Sequence, residues 1–291
     1  MKRHYFIFCL LCAAVLAGCS KPDDPAPTPT PPVTPPVIPT TPQNCIMSGV
    51  SQRNSGTKAE FAINITYNAG LNPTRISVYD SAAGQSIYNT ALTYITADSI
   101  RLNDLEYFKL DASKRVVVFV TNSDMIDPSD GDNYRYEYKY NTEGYLVTKY
   151  LYINGSTVPN YTTTYTYTGT LLTGCTMLAT SSGNLKILES TINYDSPLSP
   201  KTVMYSFPDG FESFYFTAAL NFGTKPTKLL SQMVTKLFNP ATGTVIDTWT
   251  TNYNGYTLDA NGYLATGTAT GDLQQGMAAF YGKTYFMYQC Q

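Results

Sequence analysis

The residue types that most often carry acid–base or metal chemistry are scarce in this chain of 291 residues. Its one histidine, His4, lies in a segment that we expect to be removed from the mature protein. A serine or cysteine nucleophile needs a nearby base such as histidine, and residues 45–291 contain no CxxC pair that could hold zinc. The sequence therefore predicts no His-based triad, no His-ligated metal and no cofactor.

Carboxylates crowd into one acidic segment, residues 123–133. Asp127, Asp130 and Asp132 are candidate Ca²⁺ ligands, because Ca²⁺ prefers oxygen donors on loops. The segment lacks the EF-hand spacing and its closing glutamate. We therefore favour a hairpin loop with solvated carboxylates, and expect no metal site.

Two carboxylates could instead hydrolyse a glycosidic bond, but no pair is marked in the sequence. Glu137 lies between Arg135 and Lys139 and is better explained by charge pairing on a strand. We expect that the protein is not an enzyme, and keep a carboxylate-dependent glycoside hydrolase as an alternative.

Aromatic residues are abundant, with 25 tyrosines and one tryptophan. Exposed rings could stack on sugars or anchor a protein partner; tyrosine is also typical of a half-buried sheet whose hydroxyls reach the rim. Both interpretations stay open. The candidate ligand-facing aromatics are Tyr134, Tyr136, Tyr138, Tyr140 and Trp249.

The domain that carries these residues has three cysteines. In an oxidising compartment a disulfide is expected, and we favour Cys45–Cys290, because these residues lie at the two extremes of the domain. Cys175, in an apolar run, is then a small buried residue.

Apolar residues recur at every second position along the domain, which is typical of β-strands. We therefore expect strands to position the candidate side chains. Phe61, Ile63, Ile65 and Tyr67 fall on one strand face. Similar runs follow along the chain, separated by Gly, Asn, Asp or Pro. The pattern predicts an all-β domain of antiparallel strands.

A short unit also recurs, as YNTEGYL at 140–146 and LDANGYL at 258–264, with looser copies such as LDASKRV at 110–116. Tyr140, Tyr167, Tyr194 and Phe222 are spaced by 27, 27 and 28 residues. In each unit Asn or Asp starts a turn and Gly takes positive φ. Each copy is thus expected to be one hairpin step of a meander.

This unit resembles the YD repeat of RHS-type proteins, whose pattern is Tyr-Asp, two residues, Gly, Arg, Leu. Asn replaces Asp at 141, Leu replaces Tyr at 258, and Tyr replaces Arg in both copies. The resemblance covers roughly residues 65–270. It implies an antiparallel meander curled into a rolled sheet or barrel-like domain, and it implies no reaction.

The N-terminal residues have the layout of an export signal. Lys2 and Arg3 precede an apolar run that ends in Leu-Ala-Gly-Cys at 16–19, too short to span a bilayer. This sequence resembles the bacterial lipobox, which implies cleavage before Cys19 and lipidation of Cys19, for example with palmitate. We therefore expect a signal peptide at 1–18, a lipidated cysteine with a Pro/Thr-rich linker at 19–44, and one domain at 45–291.

Lipobox, linker and degenerate repeats together resemble Bacteroidetes-type surface lipoproteins of Gram-negative cells. The expected location is the outer membrane, exposed at the cell surface and held by the lipid; a membrane-embedded barrel is disfavoured because many strands are short. The net charge of −2 gives no reason to expect nucleic acid. We expect binding of an extracellular polysaccharide or surface protein, or else a purely structural envelope role.

Overall fold

Alternation of apolar and polar residues produces strands along almost the whole domain. The computed structural model describes residues 45–53, 61–80, 84–122, 132–203, 207–209, 214–272 and 282–290. They belong to one unit, Gln43–Gln291, separate from Met1–Pro42. The strands are β1 Cys45–Arg53, β2 Phe61–Tyr67, β3 Pro73–Asp80, β4 Gln85–Ala91, β5 Thr93–Thr96, β6 Ser99–Arg101, β7 Tyr107–Leu110, β8 Val116–Thr121, β9 Tyr134–Tyr140, β10 Leu146–Ile153, β11 Tyr161–Thr168, β12 Leu171–Ala179, β13 Leu185–Asn193, β14 Gln232–Phe238, β15 Val245–Leu258, β16 Leu264–Gly271 and β17 Gly282–Cys290.

The seventeen strands form one sheet that curls into a nearly closed barrel. Successive strands pair antiparallel, and β1 pairs with both β2 and β17. Strands β4 and β5 follow one another across Leu92, whose N–H donates to the Thr74 carbonyl and continues the β3–β4 ladder. Counting β4 and β5 as one bent strand leaves sixteen, the even number that a closed antiparallel meander needs. The predicted all-β meander is confirmed, and its curled form is barrel-like.

Inward-facing side chains fill the barrel. Ile63 on β2 and Ile76 and Val78 on β3 are fully buried, as the period of two predicts. Thr163 on β11 and Thr235 on β14 are also buried. The interior is therefore a packed core with polar positions.

One long insertion adds to this core. Residues 194–231 connect β13 to β14, and their described part includes a helical turn, α1, at Phe214–Thr217. Phe216 packs edge-on against Phe108 at 4.8 Å between ring centroids. Phe222, assigned to the repeat by its spacing, lies in this insertion and packs on Tyr138 at 5.2 Å. That part of the repeat assignment is wrong, because Phe222 is on no strand.

Many outward-facing positions are polar, although large apolar side chains are exposed too, among them Tyr79, Ile246 and Met287. Thr164, Thr166, Lys139, Lys236 and Lys283 are exposed. In the described part of the chain, no helix has the length and apolarity required to span a membrane.

Candidate functional site

Four turns at one end of the barrel share a single geometry. In each, an Asn or Asp side-chain oxygen accepts the backbone N–H of the residue four positions later, at 2.8–3.0 Å. The fourth residue of each turn has positive φ: Leu71, Lys114, Gly144 and Gly262. Gly therefore occupies this position in the two best copies of the repeat, because it adopts positive φ without strain. We call this end of the barrel the turn end.

Six tyrosines at the turn end make the same hydrogen bond. Each side-chain hydroxyl donates to a backbone carbonyl near the start of the neighbouring strand, at 2.6–3.0 Å. We call these the tyrosine series. The donor–acceptor pairs are Tyr67–Met47, Tyr140–Val116, Tyr167–Leu146, Tyr194–Leu172, Tyr256–Leu230 and Tyr288–Leu264.

Register determines which carbonyl accepts. Leu146 pairs with Tyr140 and accepts from Tyr167; Leu172 pairs with Tyr167 and accepts from Tyr194. Each bond therefore links two successive turns at the turn end. The donor strand and the acceptor strand are neighbours whose connecting loop lies at the opposite end of the barrel. Sixteen strands make eight such junctions, and the tyrosine series closes six of them.

The two remaining junctions are adjacent. By the same register the expected acceptors are Pro73, which pairs with Tyr67, and Ile100, which pairs with Tyr94. Tyr94 occupies the donor position of the first junction, but its hydroxyl makes no hydrogen bond to another described residue. At the second junction the donor position holds Leu110, which has no hydroxyl.

A groove of about 580 Å³ opens at these two junctions. Pro73, Tyr94, Ile100 and Leu110 line it, together with residues 219–221 of the insertion. The gap in the tyrosine series therefore coincides with the groove. At the second junction the turns are joined instead by the Leu110 N–H, which donates to the Asp98 carbonyl, and by the Lys114 ammonium.

The groove lining mixes apolar and polar residues and is almost uncharged. The amides of Asn68, Asn72 and Asn221 and the ammonium of Lys114 contribute to its lining, which includes neither Asp nor Glu. The Lys114 ammonium donates to the Ala97 carbonyl. Burial raises the pKa of Tyr94, so its hydroxyl is a neutral donor at physiological pH. This lining suits a neutral ligand with hydroxyl groups and an apolar face.

A second polar cluster lies inside the barrel. The Lys149 ammonium on β10 is 2.9 Å from an Asp209 carboxylate oxygen of the insertion, and these side chains are 5% and 0% exposed. The Tyr165 hydroxyl donates to the other oxygen at 2.7 Å. Cys175 is buried, and burial raises the pKa of its thiol, which opposes reactivity. The cluster fixes the insertion within the barrel.

The tyrosine ladder on β9 does not face a ligand. Tyr134, Tyr136 and Tyr138 are 6%, 8% and 1% exposed and belong to the core. The hydroxyl of Tyr140 is bonded to Val116. The ladder's alternation identified the strand correctly, but its aromatic face is the inner one, because the charged face of Arg135 and Glu137 is cheaper to leave in water.

The other candidate residues are placed as follows. Trp249 is half-buried, on the sheet face that it shares with its buried partner Thr235, so it is not on the outer surface. Cys45 and Cys290 form a disulfide between β1 and β17, with Cα atoms 4.0 Å apart.

Three candidate residues lie outside the described residues: Cys19 at the start of the linker, and Asp127 and Asp130 in the acidic segment. Asp132 is described and accepts from the Asn154 amide at 2.6 Å. Across the described ranges, no cluster of three or more His, Cys, Asp or Glu residues could hold a metal ion.

Comparison with known proteins identifies similar folds only. The chain aligns with the crystal structure of a porin-like protein from Bacteroides uniformis at 16% identity and a TM-score of 0.51, over 87% of this chain and 99% of that one. A porin-like protein from Bacteroides vulgatus aligns at 13% identity and 0.51, over 84% and 99%. No family model matches the sequence, and no curated protein matches it. At these identities the likeness shows a shared fold.

Proposed function

We propose that this chain is an outer-membrane lipoprotein, anchored through lipid on Cys19, whose barrel binds an extracellular polysaccharide without chemical conversion. The observation that carries this proposal is the groove at the turn end, with its amides, its half-buried Tyr94 ring and its lack of acidic residues. Amide groups and an aromatic face are the usual partners of sugar hydroxyls and sugar rings.

The polar outer face of β11 supports anchoring by lipid rather than insertion of the sheet. Thr164 and Thr166 point outward on this strand and alternate with the buried Thr163 and Tyr165. A membrane-embedded barrel has the opposite arrangement, an apolar band outside. This strand fits a barrel surrounded by water, and under the proposal the signal and the linker provide the attachment to the membrane.

The groove does not support the alternative function, a carboxylate-dependent glycoside hydrolase. Hydrolysis needs two carboxyl groups about 5–10 Å apart across the sugar, and the groove lining has none. A protein ligand and a purely structural role remain as outcomes of the test.

The test is a binding assay with the full chain in detergent. We expect retention on at least one polysaccharide of a glycan array, and at least tenfold weaker retention for Tyr94→Ala. The matched control is Tyr79→Ala, because Tyr79 is 44% exposed on the barrel's outer face; it should bind normally. Failure to retain any polysaccharide, or equal retention by Tyr94→Ala, would refute the proposal. Palmitate labelling that is lost in Cys19→Ala tests the anchor.

A further inference from the structure

We propose that Lys149 and Asp209 react with each other inside the barrel and form an isopeptide bond, a covalent amide between the Lys149 side-chain nitrogen and the Asp209 carboxyl carbon. This bond ties β10 to the insertion between β13 and β14. The proposal is independent of the groove and of any saccharide, and it goes beyond the proposed function by assigning a self-modification site to the barrel interior.

The two reacting groups are close together and shielded from water. The Lys149 nitrogen, Nζ, is 2.9 Å from Oδ2 of Asp209, and these side chains are 5% and 0% exposed. Oδ2 accepts no hydrogen bond from a described residue, so Nζ approaches it out of hydrogen-bond alignment. The carboxyl carbon, Cγ, is one bond beyond Oδ2, which places Nζ at most about 4.1 Å from Cγ. Reacting atoms in near-attack geometry are about 3–3.5 Å apart, so a small shift suffices.

Burial favours the protonation states that the reaction needs. An ammonium and a carboxylate lose their hydration in an apolar interior, which favours transfer of one proton to give an amine and a carboxylic acid. A neutral lysine amine is a nucleophile. The Tyr136 ring centroid is 5.7 Å from Nζ, and Tyr138, the cross-strand partner of Lys149, is 1% exposed. These rings help to exclude the water that would solvate the charges.

Tyr165 stabilises the second carboxylate oxygen. Its hydroxyl donates to Oδ1 of Asp209 at 2.7 Å, and Oδ1 is the oxygen on which negative charge develops when Nζ attacks Cγ. A fixed donor to such an oxygen lowers the barrier. Phe207, two residues before Asp209, packs on the Tyr165 ring at 5.1 Å between centroids. The same tyrosine therefore positions the segment that carries Asp209 and stabilises its reaction.

The reaction needs no further reagent. One proton passes from the Lys149 ammonium to Oδ2, and the Nζ lone pair then forms the N–C bond at Cγ. A second proton passes from Nζ to Oδ2, the bond between Cγ and Oδ2 breaks, and one water leaves. The product is a neutral amide whose carbonyl oxygen is Oδ1. At 2.9 Å the two groups are not bonded, so the structure shows the reactants.

Peptide mass spectrometry of the full chain, reduced and digested with trypsin, tests the bond. We expect a branched peptide that joins the Lys149 and Asp209 segments, with a mass one water below the sum of the two. Lys149→Arg is the matched variant, because arginine keeps the positive charge but is not deprotonated; it should yield no branched peptide and should migrate more slowly in reducing, denaturing electrophoresis. Lys186 and Glu189, which are 3.5 Å apart but 41% exposed, are the internal control and should stay unbonded.

The wild-type chain decides the outcome by itself, so the test does not depend on a variant that folds. Separate Lys149 and Asp209 peptides of unmodified mass, recovered after overnight incubation of the folded chain, would overturn the proposal. Tyr165→Phe should form the bond at least tenfold more slowly during refolding, and a rate equal to that of the wild type would contradict the role of Tyr165. The saccharide-binding assay has no bearing on either result, so this proposal and the proposed function fail separately.

Discussion

At the scale of single residues, tyrosine hydroxyls do most of the distinctive work in this protein. A buried phenol contributes apolar area and one donor, and in the tyrosine series the donor reaches a backbone carbonyl near the start of the neighbouring strand. The ring thus strengthens the core and its hydroxyl joins two turns. This dual role gives six of the 25 tyrosines a structural function in the described part of the chain.

Removing one hydroxyl of the tyrosine series should cost a measurable part of the stability. Tyr167→Phe loses the bond to Leu146 and should lower the free energy of unfolding by about 1 kcal/mol, measured by denaturant titration. Tyr79→Phe, on the exposed outer face, should change it by less than about 0.5 kcal/mol. Equal effects of the two substitutions would contradict a structural role for the bond.

Buried tyrosines also predict how stability depends on alkaline pH. Burial raises the pKa of Tyr253 from 10.0 to about 12, and burial raises the pKa of Tyr167 as well. Because the folded pKa exceeds the unfolded one, this contribution is fully present below pH 10 and is lost as pH rises toward 12. Denaturant midpoints should therefore hold steady up to pH 10 and fall above it; tyrosinate absorbance in the folded protein that follows an unshifted pKa would refute this.

At the scale of elements, the repeated turn is the unit from which the meander is built. Asn141 and Asp259 hold equivalent turns, and the residue that follows each glycine, Tyr145 or Tyr263, packs on the next tyrosine of the series, Tyr167 or Tyr288, at 4.9 and 5.0 Å. Turn chemistry and ring packing therefore support one another.

The hydrogen bonds of the turn at 258–264 predict how the protein responds to substitution of Asp259. Asp259→Ala removes the acceptor for the backbone N–H groups of Asn261 and Tyr263 and should destabilise by about 1 kcal/mol, as loss of a similar cap does in helices. Asp259→Asn keeps that oxygen and should remain close to the wild type, since Asn occupies the position at 141. Thermal unfolding measures both, and an Asn variant as unstable as the Ala variant would exclude this explanation.

The insertion between β13 and β14 is held by a buried ion pair. Its Asp209 is buried with Lys149 as partner, so removing one charge leaves the other uncompensated. Lys149→Met should cost about 3–5 kcal/mol, and the double variant Lys149→Met/Asp209→Leu should recover part of that loss. Urea unfolding of the three proteins is the measurement; a double variant less stable than the single one would show that the pair itself is favourable.

At the scale of the whole molecule, closure removes the free edges that an open sheet of this size would expose. Strands β1 and β17 meet along eight paired positions and are joined by the Cys45–Cys290 disulfide at the turn end. The bridge spans 245 residues of sequence and holds the first and last strands together in the unfolded chain as well.

Reduction should therefore destabilise the domain strongly. In the chain-entropy model a loop of this length contributes up to about 5 kcal/mol. Cys45→Ser/Cys290→Ser should lower the unfolding free energy by several kcal/mol, and reductant should then have no further effect. Cys175→Ala serves as the control, because it leaves the bridge intact and its response to reductant should match the wild type. An unchanged stability after reduction of the wild type would refute the prediction.

Local patterns in the sequence determined the strands, the turns and the antiparallel order. Alternation at 61–67 and 134–140 depends on neighbours two residues apart, and the turn at 141–145 depends on a side chain bonding its own backbone. Interactions between residues this close in the chain can be predicted from the sequence without knowledge of the fold. In the looser copy at 110–116, Leu110 stands where other copies have a tyrosine. The sequence shows this difference, but its consequence for the hydrogen bonds depends on strand register, which the sequence does not show.

Only the tertiary structure decided which face of the tyrosine ladder is inside, how β4 and β5 combine to close the barrel, and that two adjacent junctions lack a tyrosine bond. The contacts involved join residues far apart in the chain, such as Tyr140 with Val116 and Lys149 with Asp209. The energies of these contacts depend on strand register and on how the insertion packs inside the barrel. Alternation with a period of two assigns residues to the two faces of a strand, but it does not say which face is exposed to water.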